Sequence, residues 1–323
     1  MNDFFKSKRV LVAGGTGTIG VPLVKELQAR GAHVTIVSLD SVVLARARLG
    51  DDISFITADL TDIDECNSVV RGQEFVFNLV GIKGSVGIGQ TKVASYLIPM
   101  LRFQTNLMEA SFKAGVQRFL FVGSICSYPQ ADVHYEDNVW NGMPRQNDRI
   151  PGIAKRVGEL LGEAFELEYG WDAVRVLRPS NVYGPYDDFN PASAQVIPAL
   201  IHKMLFSRGS VNVWGDGSAI RDFVYSDDVA FWMCEAMEKA PPNYPINIGS
   251  GTGVSIRQLA ELIKQATGNT LPITWDLSAP IGDPCRVLDV QRAKRTFGYF
   301  QRTHLREGLS KTISWYKSTN KLD

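Results

Sequence analysis

Gly15, Gly17 and Gly20 stand in the spacing G-x-G-x-x-G, after an apolar run at 9–13 and before an amphipathic stretch at 21–30. The chemistry open to such a stretch is phosphate binding. The first glycine permits a tight turn, the second lets the backbone approach a pyrophosphate, and the third lets a helix pack close to a strand. The helix start adds unpaired N–H groups and the positive end of its dipole. Strand, glycines and helix in this order point to a dinucleotide site, with Gly14, Gly17, Thr18, Ile19 and Gly20 as its contacts. In such sites an acidic residue at the end of the second strand binds the ribose hydroxyls. Two positions compete for that place. Asp40 favours NAD by repelling a 2′-phosphate, unless it only caps the helix beginning near Ser41. Ser38, with Arg46 and Arg48 downstream, tolerates NADP. NAD is the favoured of the two. Asp59, with Leu60, can reach the adenine, or else caps the helix expected at 62–71, a place for which Thr61 competes.

These residues need a frame, and the chain supplies one by alternating apolar runs with amphipathic stretches. Strands are expected at 9–13, 33–37, 53–57, 75–80, 118–123 and 173–177, with helices at 21–30, 62–71, 96–114 and 151–169. This alternation predicts an α/β fold with a Rossmann-type, doubly wound parallel sheet. Gly81, Gly84, Gly87 and Gly89 follow the fourth strand, where a loop at the C-terminal sheet edge borders a ligand crevice. Residues 130–150 are polar and aperiodic and read as a loop. Beyond Arg178 prolines interrupt the pattern. Short strands are expected there at 211–214 and 245–248, with helices at 229–239 and at 255–267, the latter capped by Ser255. The chain thus divides into a dinucleotide-binding domain, 1–178 with 229–250 returning to it, and a smaller C-terminal α/β substrate-binding domain, 179–228 and 251–323.

Composition narrows the class. Apolar residues make up 45% of the 323 residues and charged residues 21%, as in ordinary globular proteins. Lys plus Arg equals Asp plus Glu, 34 each, which gives no reason to expect nucleic acid or an anionic membrane as partner. Cys66, Cys126, Cys234 and Cys285 are scattered, so neither a metal site nor a disulfide framework is expected, and the cytoplasm is the expected compartment. No signal-peptide core opens the chain, and no apolar run approaches the roughly 20 residues that span a bilayer.

Several longer stretches carry a resemblance: GSICSYP (123–129), AK (154–155), RPSNVYGP (178–185), VIPALI (196–201), VWGDG (213–217), RDFVY (221–225) and residues 284–289. Over nearly its whole length the chain resembles the extended short-chain dehydrogenases/reductases that act on nucleotide sugars, and within them the GDP-L-fucose-synthase-like subgroup. The resemblance implies a catalytic set of Ser124, Cys126 and Lys155. Ser124 would hydrogen-bond the reacting oxygen of the sugar, and Lys155 would hold the nicotinamide ribose. It adds Pro179, Asn181 and Val182 to the cofactor-binding residues. Asn181, Gln195, Val196, Trp214, Arg221 and Arg286 would face the substrate. Arg221 suits a diphosphate, because a guanidinium matches phosphate oxygens in pairs; a surface ion pair with Asp222 or Asp227 is its alternative. Trp214 lines a nucleobase site or packs in the core. A homodimer is implied through the helices at 96–114 and 151–169, with Gly158 and Gly162 permitting close approach.

The pattern breaks where proton chemistry is expected. The family's acid/base is a Tyr four residues before the Lys, and here that position is Pro151. Proline holds no proton, yet suits the first turn of a helix, where a missing N–H costs nothing. Gln195 stands where the subgroup has a His. Cys126 is retained, as a base if its pKa is lowered or as a buried structural thiol. Cys285 stands where Arg is usual, with Arg286 beside it. Ile125, Cys126 and Ser127 replace the Thr-Asp-Glu of a 4,6-dehydratase, which argues against dehydration. Asp132, His134 and Glu136, and the phenols Tyr128 and Tyr135, are the other nearby donors. Loop residues of this kind are mostly solvated, and Tyr128 is placed to pack on the sheet. The expected function is an NAD(P)-dependent epimerase or reductase acting on a nucleoside-diphosphate sugar, GDP-linked by preference. Hydride would move at sugar C4, and water, Cys126 or a loop residue would replace the phenol. The alternative is a nucleotide-sugar or NAD(P)-binding protein with little catalysis.

Overall fold

The computed structural model describes residues 3–82, 93–279 and 283–321. Gly84, Gly87 and Gly89 lie outside the described residues. In chain order the first elements are β1 (Arg9–Ala13), α1 (Gly20–Ala29), β2 (His33–Ser38), α2 (Val42–Leu49), β3 (Ser54–Thr57), α3 (Ile63–Val69), β4 (Phe75–Asn78), α4 (Val93–Lys113) and β5 (Arg118–Val122). Next come β6 (Val133–His134), α5 (Arg149–Tyr169), β7 (Val174–Pro179), β8 (Asn181–Tyr183), α6 (Val196–Phe206), β9 (Val211–Trp214), β10 (Ile220–Arg221) and β11 (Phe223–Tyr225). The rest are α7 (Ser226–Lys239), β12 (Ile246–Ile248), β13 (Val254–Ser255), α8 (Ile256–Thr267), β14 (Ile273–Asp276), β15 (Cys285–Leu288), α9 (Gln291–Phe297) and α10 (Leu305–Thr319).

Seven strands form one parallel sheet in the order β12-β7-β5-β4-β1-β2-β3. β1, β4 and β5 are near-continuous apolar runs, as strands covered on both faces must be. One face packs Val10 and Val12 against Leu23 and Leu27 of α1, Trp232 and Met233 of α7, and Ala293 and Phe297 of α9. The other packs Leu11 and Phe121 against Cys66 of α3, Leu107 of α4 and Ala154 of α5. The strand order reverses between β1 and β4, and a crevice opens at the C-terminal ends of strands at such a point. A separate core joins α6, α8 and α10 through Ile197, Ile201, Leu259, Ile263, Leu309 and Ile313. Between the two lies a small sheet, β13-β10-β15-β6, in which Arg221 of β10 is the register partner of Arg286 of β15.

Several local expectations need correction. Asp40 is not a cap; Ser41 is, its Oγ accepting the N–H of Leu44. Neither Asp59 nor Thr61 caps α3; Asp62 does, while the Asp59 carboxylate accepts the N–H of Thr61. The 130–150 stretch is not all loop. It holds β6 and two 3-10 turns, Glu136–Trp140 and Gln146–Asp148. β6 has only two residues and owes its ladder to β15, far along the chain, so no local period announces it. Helix α5 starts at Arg149, which makes Pro151 its third residue, still within the turn whose N–H groups lack intrahelical acceptors. Gly158 and Gly162 serve packing within the chain. A methyl group at Gly158 would strike the Phe121 ring, and one at Gly162 would lie 2.6 Å from Asn243 Oδ1 and 3.0 Å from Val174 Cγ1. No helix among the described residues is long and apolar enough to cross a membrane.

Candidate functional site

A cavity of about 700 Å³ lies over the glycine turn between β1 and α1. The residue that needs a left-handed backbone is Gly14, at φ +81°, rather than Gly15. Gly14 also lies close under the backbone after β4, where a methyl group would sit 3.3 Å from the carbonyl carbon of Leu79. Gly15 packs on the Ile36 side chain, and a methyl group at Gly20 would collide with the Gly14 carbonyl. Gly17 differs from both: a methyl group there would meet only Gly14 O, at 3.8 Å. Its open side faces the cavity. The N-terminus of α1 has no side-chain cap. An open glycine backbone beside an uncapped helix start is a cradle that fits a pyrophosphate, and the cavity has the room that a dinucleotide needs.

Gly14, Gly17, Thr18, Ile19, Gly20, Ser38, Asp40, Asp59 and Leu60 all line this cavity, as do Pro99 and Phe103 of α4. Ser38 ends β2, so both candidates for the ribose position stand at the rim. They are joined: Thr16 Oγ1 and Ser38 Oγ donate to Asp40 Oδ2 at 2.5 and 3.3 Å. Arg48 donates to the Thr16 carbonyl, which brings a guanidinium to the same rim. Thr18 Oγ1 donates to the Tyr186 carbonyl and to Asp187 Oδ1, each at 3.3 Å, tying the glycine turn to the loop after β8.

Ser124 follows β5 at the same sheet edge, and its Oγ accepts the N–H of Cys126 at 3.1 Å. The first turn of α5 lies directly on Cys126, since a methyl group at Gly152 would overlap the Cys126 carbonyl. One turn further, Lys155 Nζ sits 5.2 Å from the centre of the Phe121 ring. Burial pulls its pKa down to about 8. Burial, and then Asp148, push the Cys126 thiol up, so the condition for a cysteine base is not met. Pro179 ends β7 and Val182 lies in β8, next to Asn181, whose Nδ2 donates to the Asp222 carbonyl at 2.7 Å. Gln195 is the N-terminal flank of α6, and Val196 its first residue.

Three guanidiniums gather beside Cys126. Arg221 and Arg286 are neighbours across β10 and β15, and Arg286 Nη2 lies 3.9 Å from Cys126 Sγ. Arg286 and Arg145 share Asp148, at 3.0 and 3.4 Å, and Arg145 also pairs with Asp283. Arg221 pairs with neither Asp222 nor Asp227; its Nη1 donates to the carbonyls of Ile220 and Asp283. Asp222 is instead buried under the N–H groups of Ser250 and Leu288. Burial, then the charge of Arg286, lower the pKa of both Arg145 and Arg221 to about 10. Crowded cations that pair, among the described residues, with Asp148 and Asp283 suit an anion. Arg145, Asp148 and Asp283 carry no mark in the sequence, because charges in aperiodic loops give no signal of where they meet.

The other candidate donors are held elsewhere. Tyr128 is fully buried; its hydroxyl donates to Asn247 Oδ1 at 2.7 Å and accepts from Arg178 at 2.9 Å, and burial raises its pKa to about 12. His134 is buried in a stack with Tyr128 and pushed down to about 4 by burial, then by Arg145 and Arg286. Glu136 is buried, accepting the N–H of Asn247, while Tyr135 is exposed. The Asp132 carbonyl accepts from Cys285 Sγ at 3.4 Å. Trp214 is not in the core. It is 65% exposed, with Lys203 Nζ 5.8 Å from its ring centre.

Residues 10–249 match the family described as NAD dependent epimerase/dehydratase. GDP-L-fucose synthase 1 of Arabidopsis thaliana is 31% identical over 96% of this chain and 94% of its own. The dTDP-4-dehydro-6-deoxy-D-allose reductase of Streptomyces bikiniensis is 29% identical over 98% of both chains. The UDP-glucose 4-epimerase of Thermotoga maritima, solved with UDP-glucose, superposes with a TM-score of 0.84 at 30% identity, covering 97% of this chain and 99% of that one.

Proposed function

The chain belongs to the NAD dependent epimerase/dehydratase family, and from that premise we propose that it moves a hydride between a nicotinamide cofactor and a sugar carried on a nucleoside diphosphate. The nicotinamide supplies or takes up the hydride when bound. The chain's residues bind, orient and handle protons. The observation that carries this reading is the row along one sheet edge: the glycine cradle at β1, Ser124 after β5, Lys155 above Phe121, and the arginines beside Cys126. In this reading Gly17 and the start of α1 receive the pyrophosphate, and Asp40 favours NAD over NADP at the rim. Ser124 holds the reacting oxygen of the sugar. Arg221 and Arg286, with Arg145 behind them, hold the diphosphate, and exposed Trp214 offers a face to the base. GDP is the carrier we favour, from the name of the Arabidopsis relative.

Within the family's range of reactions the site favours simple reduction or oxidation at a carbonyl. Moving a proton at the neighbouring ring carbon needs an acid and a base. Gln195 has an amide there, and Cys126 stays a thiol. A homodimer through the outer faces of α4 and α5, where Ile98, Leu160 and Leu167 remain exposed, and a reducing cytoplasm for the four free cysteines belong to the same proposal.

Pro151 favours a second reading, a protein that binds both ligands and turns over little. Deuteride transfer separates the two. The protein is mixed with reduced NAD or NADP deuterated at the transferring position, and with GDP-, dTDP- and UDP-linked 4-keto sugars. Deuterium in the product sugar, with the lower KM for NAD, supports the enzyme reading. Tight binding of both ligands with no label transferred, unchanged in Lys155→Ala, leaves the binding protein.

A further inference from the structure

We propose that Lys155 is itself the proton donor of this site in the reducing direction, and the acceptor in the oxidising one. The proposal rests on the reading above, that the site acts on a carbonyl. It begins from a carboxylate that is missing. On a helix the natural partner of Lys155 is Glu159, four residues on. Glu159 is already taken: Arg178 Nε and Nη2 grip its two oxygens at 3.0 and 2.5 Å, in full burial. Lys155 Nζ therefore has no hydrogen bond or ion pair among the described residues, and the face of Phe121 is its close neighbour.

Among the described residues, the other titratable groups near Ser124 are committed. The Tyr128 hydroxyl is locked between Arg178 and Asn247, and the Tyr96 hydroxyl donates to the Ile82 carbonyl at 2.9 Å. The guanidiniums of Arg145, Arg221 and Arg286 cannot act as acids in the working range. Cys126 faces Arg286 and Asp148, and His134 is stacked beneath Tyr128. An amine in an apolar setting gives up a proton readily, and burial brings Lys155 to about 8 even though the charge of Glu159, gripped by Arg178, still acts on it in the opposite sense. An acid of that strength is well matched to a reaction near neutral pH.

In the reducing direction the carbonyl carbon gains a hydride, hence two electrons and one hydrogen, from a reduced nicotinamide cofactor, which is thereby oxidised. The C=O π pair moves onto oxygen. That oxygen takes a proton from the Lys155 ammonium, whose N–H bond breaks to leave a neutral amine, and water returns the proton afterwards.

Four measurements on the full chain test this. In the wild type the rate of keto-sugar reduction at saturation should fall tenfold per pH unit above an apparent pKa near 8. Lys155→Arg keeps the charge but cannot release a proton, so kcat should drop roughly 10²–10⁴-fold. The pH limb should vanish with it. In Lys155→Ala, added methylamine or ethylamine should restore rate in proportion to amine acidity. Independently of turnover, NMR of the cofactor-free protein with labelled lysines should show one side chain titrating near 8 that is absent from Lys155→Arg. Lys155→Arg turning over as fast as the wild type, or keeping the same limb, would overturn the proposal and leave the carbonyl reading intact. A Lys155 resonance titrating near the ordinary 10.5 would overturn it also. No turnover by the wild type on any keto sugar would remove the carbonyl reading and the proposal together.

Discussion

Pro151 and Lys155 lie one helical turn apart on the same face of α5, both half-buried, the first without a proton to give and the second with an amine. That spacing explains why proline is tolerated. At the third position of the helix its nitrogen owes no hydrogen bond, so α5 starts unharmed. It also makes the position a direct test of what the site lacks. Pro151→Tyr would set a phenol one turn above a cationic side chain, whose charge lowers the phenol pKa towards the working range. In the Lys155→Arg background the change should restore at least about tenfold of the lost reduction rate, within the roughly 10²–10⁴ that acid–base help contributes. Single-turnover rates with a keto sugar would measure it. A phenol that restores nothing in a folded double variant would show that position 151 does not face the reacting oxygen.

Helix α5 is placed by its glycines. Gly152 lets the first turn lie on Cys126, and Gly158 lets the middle lie on Phe121, the ring that also covers Lys155 Nζ. Gly158→Ala pits a small gain in helix propensity against a methyl group driven into a buried ring. The clash should dominate. A loss of about 1–3 kcal/mol is expected, seen as a lower urea midpoint with an unchanged slope. A variant as stable as the wild type would mean that α5 can shift off the sheet without cost. This element also marks the limit of what the chain discloses. The helix was legible from its apolar spacing, and the parallel strands from their runs, because both signals are local. That the glycines, Ser38 and Asp40 share one cavity was legible for the same reason: they sit at consecutive strand ends. Which glycine turns the chain was not, since φ at Gly14 depends on the backbone after β4. The arginine cluster was half legible. Arg221 and Arg286 stand in stretches that carry the resemblance, but Arg145, Asp148 and Asp283 meet them only because β6, β15 and β10 join in one sheet from distant parts of the chain.

At the scale of the whole molecule, the junction between the two cores is built from buried ionisable groups, so global stability should depend on pH through them. His134 is one such group. It is 1% exposed, stacked on Tyr128, and faces the like charges of Arg145 and Arg286. Its folded pKa is near 4 against an ordinary 6.5. Between those values the unfolded chain binds a proton that the folded chain refuses. Stability from this group is therefore complete above pH 6.5 and is lost as pH falls through 4. The full loss is about 3 kcal/mol, because each pH unit between the folded and unfolded values is worth about 1.36 kcal/mol. Glu136 and Asp222, raised by burial, pull the other way in the same window, because their folded forms take up protons first. The wild-type profile alone thus mixes both signs. His134→Asn removes one of them. Its unfolding free energy, followed by urea titration from about pH 7 to pH 4, should fall less steeply than that of the wild type. The difference between the two curves should change by about 3 kcal/mol across the window, whatever constant offset the lost ring stacking adds. Parallel curves would mean that His134 is protonated in the folded protein, and that the junction accommodates a third cation beside Arg145 and Arg286.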